Sequence, residues 1–216
     1  MLPKQIEMDN IVRQVYESIE RESHLQNTLF VLLGDHGLTD QGNHGGDSPG
    51  EIASAMVFIS PLFKSVVNGL ESPLVTSKDY KYYSVINQVD LVPTLAGLLG
   101  FSTPARNVGE FIPELLKVFE TTNDVTRILL RNANQLMRLF EHGNDQASVD
   151  TALCDSNCEN CRHEEGRIAC LWQKVKRLET VTVGNENLIR FIRDVRYSWM
   201  RNLSKQILTA NLCAVL

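Results

Sequence analysis

Apolar and polar positions follow different rhythms along the chain, and each rhythm predicts a different element. Ile6, Ile11, Val12, Val15, Tyr16 and Ile19 recur at helical spacing, so residues 3–22 are expected to form an amphipathic helix. Leu29 to Leu33 is instead a short unbroken apolar run ended by Gly34, the pattern of a strand covered on both faces. A second strand is expected over Ala53 to Ile59. It closes at Ser60-Pro61, because Pro61 has no amide donor to continue a central ladder. Asp90 stands where it can cap a helix through Leu91, Leu95, Leu98 and Leu99 to Gly100, with Pro93 tolerated in the first turn. After Pro113 the pattern turns to helices joined by polar loops: Val125, Ile128, Leu129, Leu136, Leu139 and Phe140 make one apolar face, and Leu188, Phe191, Ile192, Val195, Leu203 and Ile207 another. Helix and strand alternate in the first part, which implies an α/β layer over residues 1–120, followed by a helical, cysteine-containing region over 121–216.

Composition narrows this picture without changing it. With 216 residues, 43% of them hydrophobic, the chain can bury a substantial core. A net charge of −5 and the lack of a basic cluster argue against a nucleic-acid partner, since neutralising phosphates needs Lys and Arg massed on one face. No run approaches the roughly 18 apolar residues of a membrane span, and Met1 is not followed by a signal-peptide pattern. Lys78, Tyr80, Lys81, Tyr82 and Tyr83 read as a solvated connection with tyrosine anchors, because a stacking platform needs strand or helix spacing.

The chemistry concentrates just beyond the first strand, where Asp35, His36, Asp40 and His44 fall among glycines. In open α/β sheets ligands gather beyond the carboxyl ends of strands, which is where Asp35 and His36 emerge. Carboxylate oxygen and imidazole nitrogen are ordinary ligands for zinc and manganese, and glycine lets backbone approach an ion closely. Taken alone, Gly-Asp-His-Gly is equally a tight turn with a solvated histidine. The second glycine-flanked histidine, His44, favours the metal reading.

These residues carry a resemblance. Gly34-Asp35-His36-Gly37-Leu38-Thr39-Asp40 with Gly42-Asn43-His44-Gly45-Gly46 resembles the metal-binding signature of the alkaline-phosphatase superfamily, in the form found in glycosylphosphatidylinositol (GPI) ethanolamine phosphate transferases. The similarity continues through Ser48-Pro49-Gly50-Glu51, Ala55 to Pro61 and Gln88 to Gly100, and includes the opening Leu2 to Asp9. It is dense to about residue 116, diffuse beyond, and nearest to the fungal enzymes acting on the second mannose.

The resemblance implies a partial alkaline-phosphatase-like sheet with flanking helices and a two-metal phosphotransfer centre, most simply with zinc. Asp35 and His36 would hold the metal that also binds a threonine nucleophile, and His44 would complete the neighbouring site. The implied substrates are phosphatidylethanolamine and the mannosylated GPI precursor. The implied setting is a membrane-embedded enzyme of the endoplasmic reticulum, with this segment on the lumenal side. The family places its nucleophile and remaining ligands upstream of the first helix, and nothing here corresponds to them. Thr39 lies between metal ligands, and Thr28 starts the strand. The chain is therefore expected to be a fragment carrying three ligands and no catalytic nucleophile. Alternatives are another phosphodiesterase or phosphatase of the superfamily, or a non-catalytic lumenal interaction module.

Cys154, Cys158, Cys161 and Cys170, with His163 among them, admit a small zinc knuckle or disulfides. The lumenal setting implied by the resemblance favours one or two disulfides, with three full pairings open. Cys213 is expected to be a buried small hydrophobe. Asn202-Leu203-Ser204 is a glycosylation sequon under the same assignment, although it falls within an apparent helix. His24 and His142 follow helices, where a cation complements the dipole, and Asp90 reads as a cap and not as a metal ligand.

Overall fold

A computed structural model describes residues 2–65, 85–143, 154, 158, 160, 161, 164–178 and 188–195. The tyrosine-rich connection, His163, Asn202, Leu203, Ile207 and Cys213 lie outside the described residues. The chain divides into two compact units, Met1–Lys78 and Asp79–Leu216. The boundary drawn near residue 120 from composition lies within the second.

In the first unit α1, Leu2–Arg21, follows the apolar periodicity, but only its C-terminal end is packed. Ile19 is buried, whereas Ile6, Ile11, Val15 and Tyr16 are exposed. The amide of Gln26 turns back onto the carbonyls of Ile19 and Glu22, at 3.1 and 3.3 Å, and so helps to satisfy the end of the helix. β1, Phe30–Leu33, pairs antiparallel with β2, Met56–Ile59, placing Val31 opposite Phe58 and Leu32 opposite Val57. Among the described residues the sheet has these two strands. The expectation that β1 is covered on both faces is thereby corrected, since Leu32 and Leu33 are exposed and the apolar run meets a cover only in part. β2 also starts later than expected. Residues 53–55 run beside the end of β1 without joining the ladder: Gly34 N–H donates to Ala55 O at 3.1 Å, and the Ser54 hydroxyl to Gly34 O at 2.9 Å. Pro61 stops the strand and opens a 3-10 turn, Pro61–Ser65. Lys64 in that turn donates to Glu20 of α1 at 2.7 Å, and this partner raises the lysine pKa.

The second unit holds the larger core. α3, Leu91–Leu99, ends at Gly100, and α4, Thr122–Gly143, is preceded by Thr121, whose hydroxyl accepts the Asp124 amide. α5, Glu164–Leu178, and α6, residues 188–195, complete it. Phe111, Ile128, Leu129, Leu136, Phe140, Ile168, Phe191 and Ile192 form one buried cluster, with the Trp172 ring stacked on Phe191 at 5.2 Å. A loop, residues 103–112, runs through this unit, and side chains satisfy its main-chain groups, as burial requires. Asn132 accepts the Phe111 amide and donates to Gly109 O, Thr94 accepts the Ile112 amide, and Gln135 donates to Ala105 O and Asn107 O.

Asp90 belongs to this network, which corrects the capping expectation. Its carboxylate makes no capping bond to α3. Instead it accepts the Asn87 amide at 2.8 Å, in a capping box around the 3-10 turn Gln88–Asp90, and the Glu110 amide at 2.9 Å. Sequence spacing shows the turn but not the partner at Glu110, which only the fold brings close. Cys154 is joined to Cys161 and Cys158 to Cys170, with Cα atoms 4.2 and 5.8 Å apart.

Candidate metal centre

The candidate centre lies wholly in the first unit, on the chain that leaves β1. Gly34 pairs with Ala55, and the backbone then turns sharply through Asp35 and His36. The Asp35 carboxylate accepts the His36 amide at 3.1 Å, and its second oxygen lies 3.7 Å from His36 Nε2. His36 Nδ1 is 2.8 Å from Gly37 O, a contact that fixes the plane of the ring. Onward, Thr39 organises a tight turn. Its amide donates to Asn43 O, its carbonyl accepts from Gly42 and its hydroxyl from Asn43. That turn brings His44 back onto His36, so that the ring centroids are 5.0 Å apart and the planes inclined by 30°.

His36 thus has an expected ligand on either hand on an exposed surface: His44 faces it, and Asp35 stands beside it. Asp40 sits exposed in the turn, and His24 lies elsewhere, exposed and 3.5 Å from Glu22. Ligands of one ion, or of two ions about 4 Å apart with bonds of about 2 Å, can span as much as roughly 8 Å, and the histidine pair is well inside that. The donor set suits a divalent ion in chemistry. It is incomplete in number, because among the described residues no group of three or more His, Cys, Asp or Glu side chains is gathered closely enough to hold one.

Two neighbours that metal-ligand spacing does not flag hold the loops in place. Gly37 donates to Glu51 O at 2.7 Å, and a Cβ added there would stand 2.0 Å from Gly50 O and 2.6 Å from Ala53 O. Both are backbone atoms that cannot swing away, so only glycine fits. Gly37→Ala is accordingly expected to cost about 1–3 kcal/mol and to displace the neighbouring His36. The check is a melting curve beside the chemical shifts of the two imidazoles, and unchanged values for both would refute the close packing. Glu51 is the other. It lies on the short helix α2, Pro49–Ile52, and its carboxylate accepts the Gly46 amide at 3.0 Å and the Ser48 hydroxyl. Ser48, Gly46 and the Ser48 amide, in that order of hydroxyl and main-chain donors, hold the Glu51 pKa below its usual value. Its help to the loop is thus present above the ordinary carboxyl pKa and lost as pH falls through the lowered one. The signal that could have found it is the Ser-x-x-Glu spacing of a capping box, Ser48 to Glu51.

Residues 6–101 match the family described as Sulfatase. The chain is 50% identical to GPI ethanolamine phosphate transferase 2 of Aspergillus fumigatus over 159 residues, 74% of this chain and 21% of that protein. It is 45% identical to the protein of the same name in Debaryomyces hansenii over 147 residues, covering 67% and 16%. Identity to the Saccharomyces cerevisiae protein is 33% over 158 residues, covering 69% and 19%. No solved structure matches. The chain spans about a fifth of the length of the curated relatives it matches. With the loop of Asp35, His36 and His44 inside the matched stretch, the chain belongs to the alkaline-phosphatase-like sulfatase family, as a relative of the fungal GPI ethanolamine phosphate transferases 2.

Proposed function

We propose that this chain supplies part of the metal centre of a GPI ethanolamine phosphate transferase, which moves ethanolamine phosphate from phosphatidylethanolamine to the second mannose of a GPI precursor. The observation that carries the reading is the approach of His36 and His44 to 5.0 Å at the end of β1, within a stretch similar to enzymes of that name. Asp35 and His36 hold one divalent ion and His44 its neighbour, with zinc the assigned metal. Bound there, the pair of ions supplies charge stabilisation for the attacking and leaving oxygens of an in-line displacement. The chain's own task is placement. The Gly37 carbonyl orients the His36 ring, the Asp35 carboxylate holds the His36 amide, and the Thr39 turn returns His44 to the pair. The Thr39 hydroxyl is engaged with the Asn43 amide, which suits a turn-holding role and not attack on phosphorus.

The proposed setting is the lumenal side of the endoplasmic reticulum membrane, within a membrane-embedded enzyme. Among the described residues no helix is long and apolar enough to cross a membrane. Glycosylation at Asn202 is part of the same proposal. In that oxidising compartment Cys154–Cys161 and Cys158–Cys170 are the expected bridges, each closing a short loop and worth about 2–3 kcal/mol. Alkylation before and after reduction measures this: four blocked thiols are expected in lumenally expressed material, and four free thiols with stoichiometric zinc would mean a zinc knuckle instead.

The function is tested by transfer from labelled phosphatidylethanolamine to a mannosylated GPI acceptor, using full-length enzyme and the 216-residue chain side by side. Transfer by the first and none by the second is the expected result. Release of free ethanolamine phosphate to water, with none on mannose, would point to a hydrolase of the same family.

A further inference from the structure

Glu51 touches both halves of the histidine pair. Its main-chain carbonyl accepts the amide of Gly37, next to His36, at 2.7 Å. Its carboxylate accepts the amide of Gly46, just past His44, at 3.0 Å, and the hydroxyl of Ser48. The fit at Gly46 is close, since a Cβ there would lie 2.7 Å from a carboxylate oxygen of Glu51. One residue thus fastens the His36 turn with its backbone and the His44 turn with its side chain.

The geometry points to Glu51 as a positioning residue that sets the spacing of His36 and His44, and so the geometry offered to the metal ions. The inference rests on the metal reading of this loop. In this arrangement each carboxylate oxygen of Glu51 accepts from a donor of the loop it holds, which is the work of positioning. A charged acceptor suits the work: hydrogen bonds to an ionised carboxylate are roughly twice as strong as neutral ones, and this loop is exposed to water that competes for its amides.

The two arms can be separated by substitution. Glu51→Ala removes the carboxylate and leaves the carbonyl, so it frees the His44 turn while Gly37 stays bonded. Glu51→Gln keeps an acceptor oxygen for Gly46, and its amide can donate to the Ser48 hydroxyl, which accepts as readily as it donates. It should therefore restore part of what Ala loses. A residue that served only general stability would loosen both turns together.

Nuclear magnetic resonance of the 216-residue chain without metal reads the geometry, and zinc competition against a chelator in full-length enzyme reads the consequence. In Glu51→Ala the cross-peaks between the His36 and His44 rings should vanish and Gly46 amide exchange should quicken, with Gly37 unchanged. Zinc affinity should fall about 10–100-fold, the usual cost of losing a group that orients a ligand. Glu51→Gln, which keeps both bonds and loses the charge, should lie between Glu51→Ala and the wild type in all three. Persistent ring cross-peaks in Glu51→Ala, equal damage from Glu51→Gln, or simultaneous loosening of Gly37 and Gly46 would each overturn the assignment. A wild-type full-length enzyme that binds no zinc would overturn the metal reading instead, and the purpose given to Glu51 with it.

Discussion

Replacing His36 or His44 by alanine in full-length enzyme should reduce transfer of ethanolamine phosphate by more than about 100-fold, without unfolding the protein. Each imidazole is assigned as a direct ligand, and even groups that merely orient a ligand cost about 10–100-fold when lost, so direct loss should exceed that range. A 100-fold drop corresponds to about 2.7 kcal/mol of transition-state stabilisation. The fold should tolerate it, because both rings lie on an exposed loop and touch each other, while the burial of Ile19 and the β1–β2 ladder owes nothing to them. Exposed substitutions of this kind usually change stability by within about 0.5 kcal/mol. Asp35→Asn should be nearly as harmful, through loss of the anionic charge that holds a dication. His24→Ala is the control, an exposed histidine beside the surface carboxylate of Glu22, where ion pairs contribute about 0–1 kcal/mol. Turnover, metal content and a melting curve on the same preparations settle it. Wild-type turnover with His36→Ala would show that the active site lies elsewhere.

The largest expected effect on stability is at Phe111, in the other unit. Its ring is buried and lies against Gly97 of α3, where a Cβ would stand 2.6 Å from it, and against Phe119, with ring centroids 6.1 Å apart. Its amide is held by Asn132 of α4, so ring and backbone together seat the loop between those helices. Phe111→Ala should destabilise this unit by about 3–5 kcal/mol, transfer free energy plus a cavity that the neighbouring helices cannot fully close. At a rate of about 2–4 °C per kcal/mol for a chain of this size, melting should fall by roughly 6–20 °C. Phe101→Ala is the comparison, half-exposed after α3, and should cost far less. A shift below about 1 kcal/mol at Phe111 would contradict the packing described here.

Local pattern carried much of this protein. The periodicity from Ile6 to Ile19 is enough to define α1, because helical spacing is a property of the chain itself. The Pro61 stop follows from a missing donor, and α3 keeps Pro93 in its first turn for the same kind of reason. Asp35, His36 and His44 were legible as candidates from residue type, glycine spacing and the resemblance they support.

What sequence could not decide were the partners. Burial is set by what else is nearby, so the apolar run of β1 predicted two covered faces although Leu32 and Leu33 are exposed. Asp90 looked like a helix cap from its neighbours in sequence, yet its carboxylate is used by the amide of Glu110, which only folding brings within 2.9 Å. The same holds for the histidines. Ligand types are written in the chain, but the 5.0 Å between the rings depends on the Thr39 turn and on the two-way grip of Glu51. Sequence by itself determined which groups are available and which local shapes they favour. Tertiary structure alone decided which of them meet, because hydrogen bonds and packing contacts depend on distance in space and not on separation along the chain.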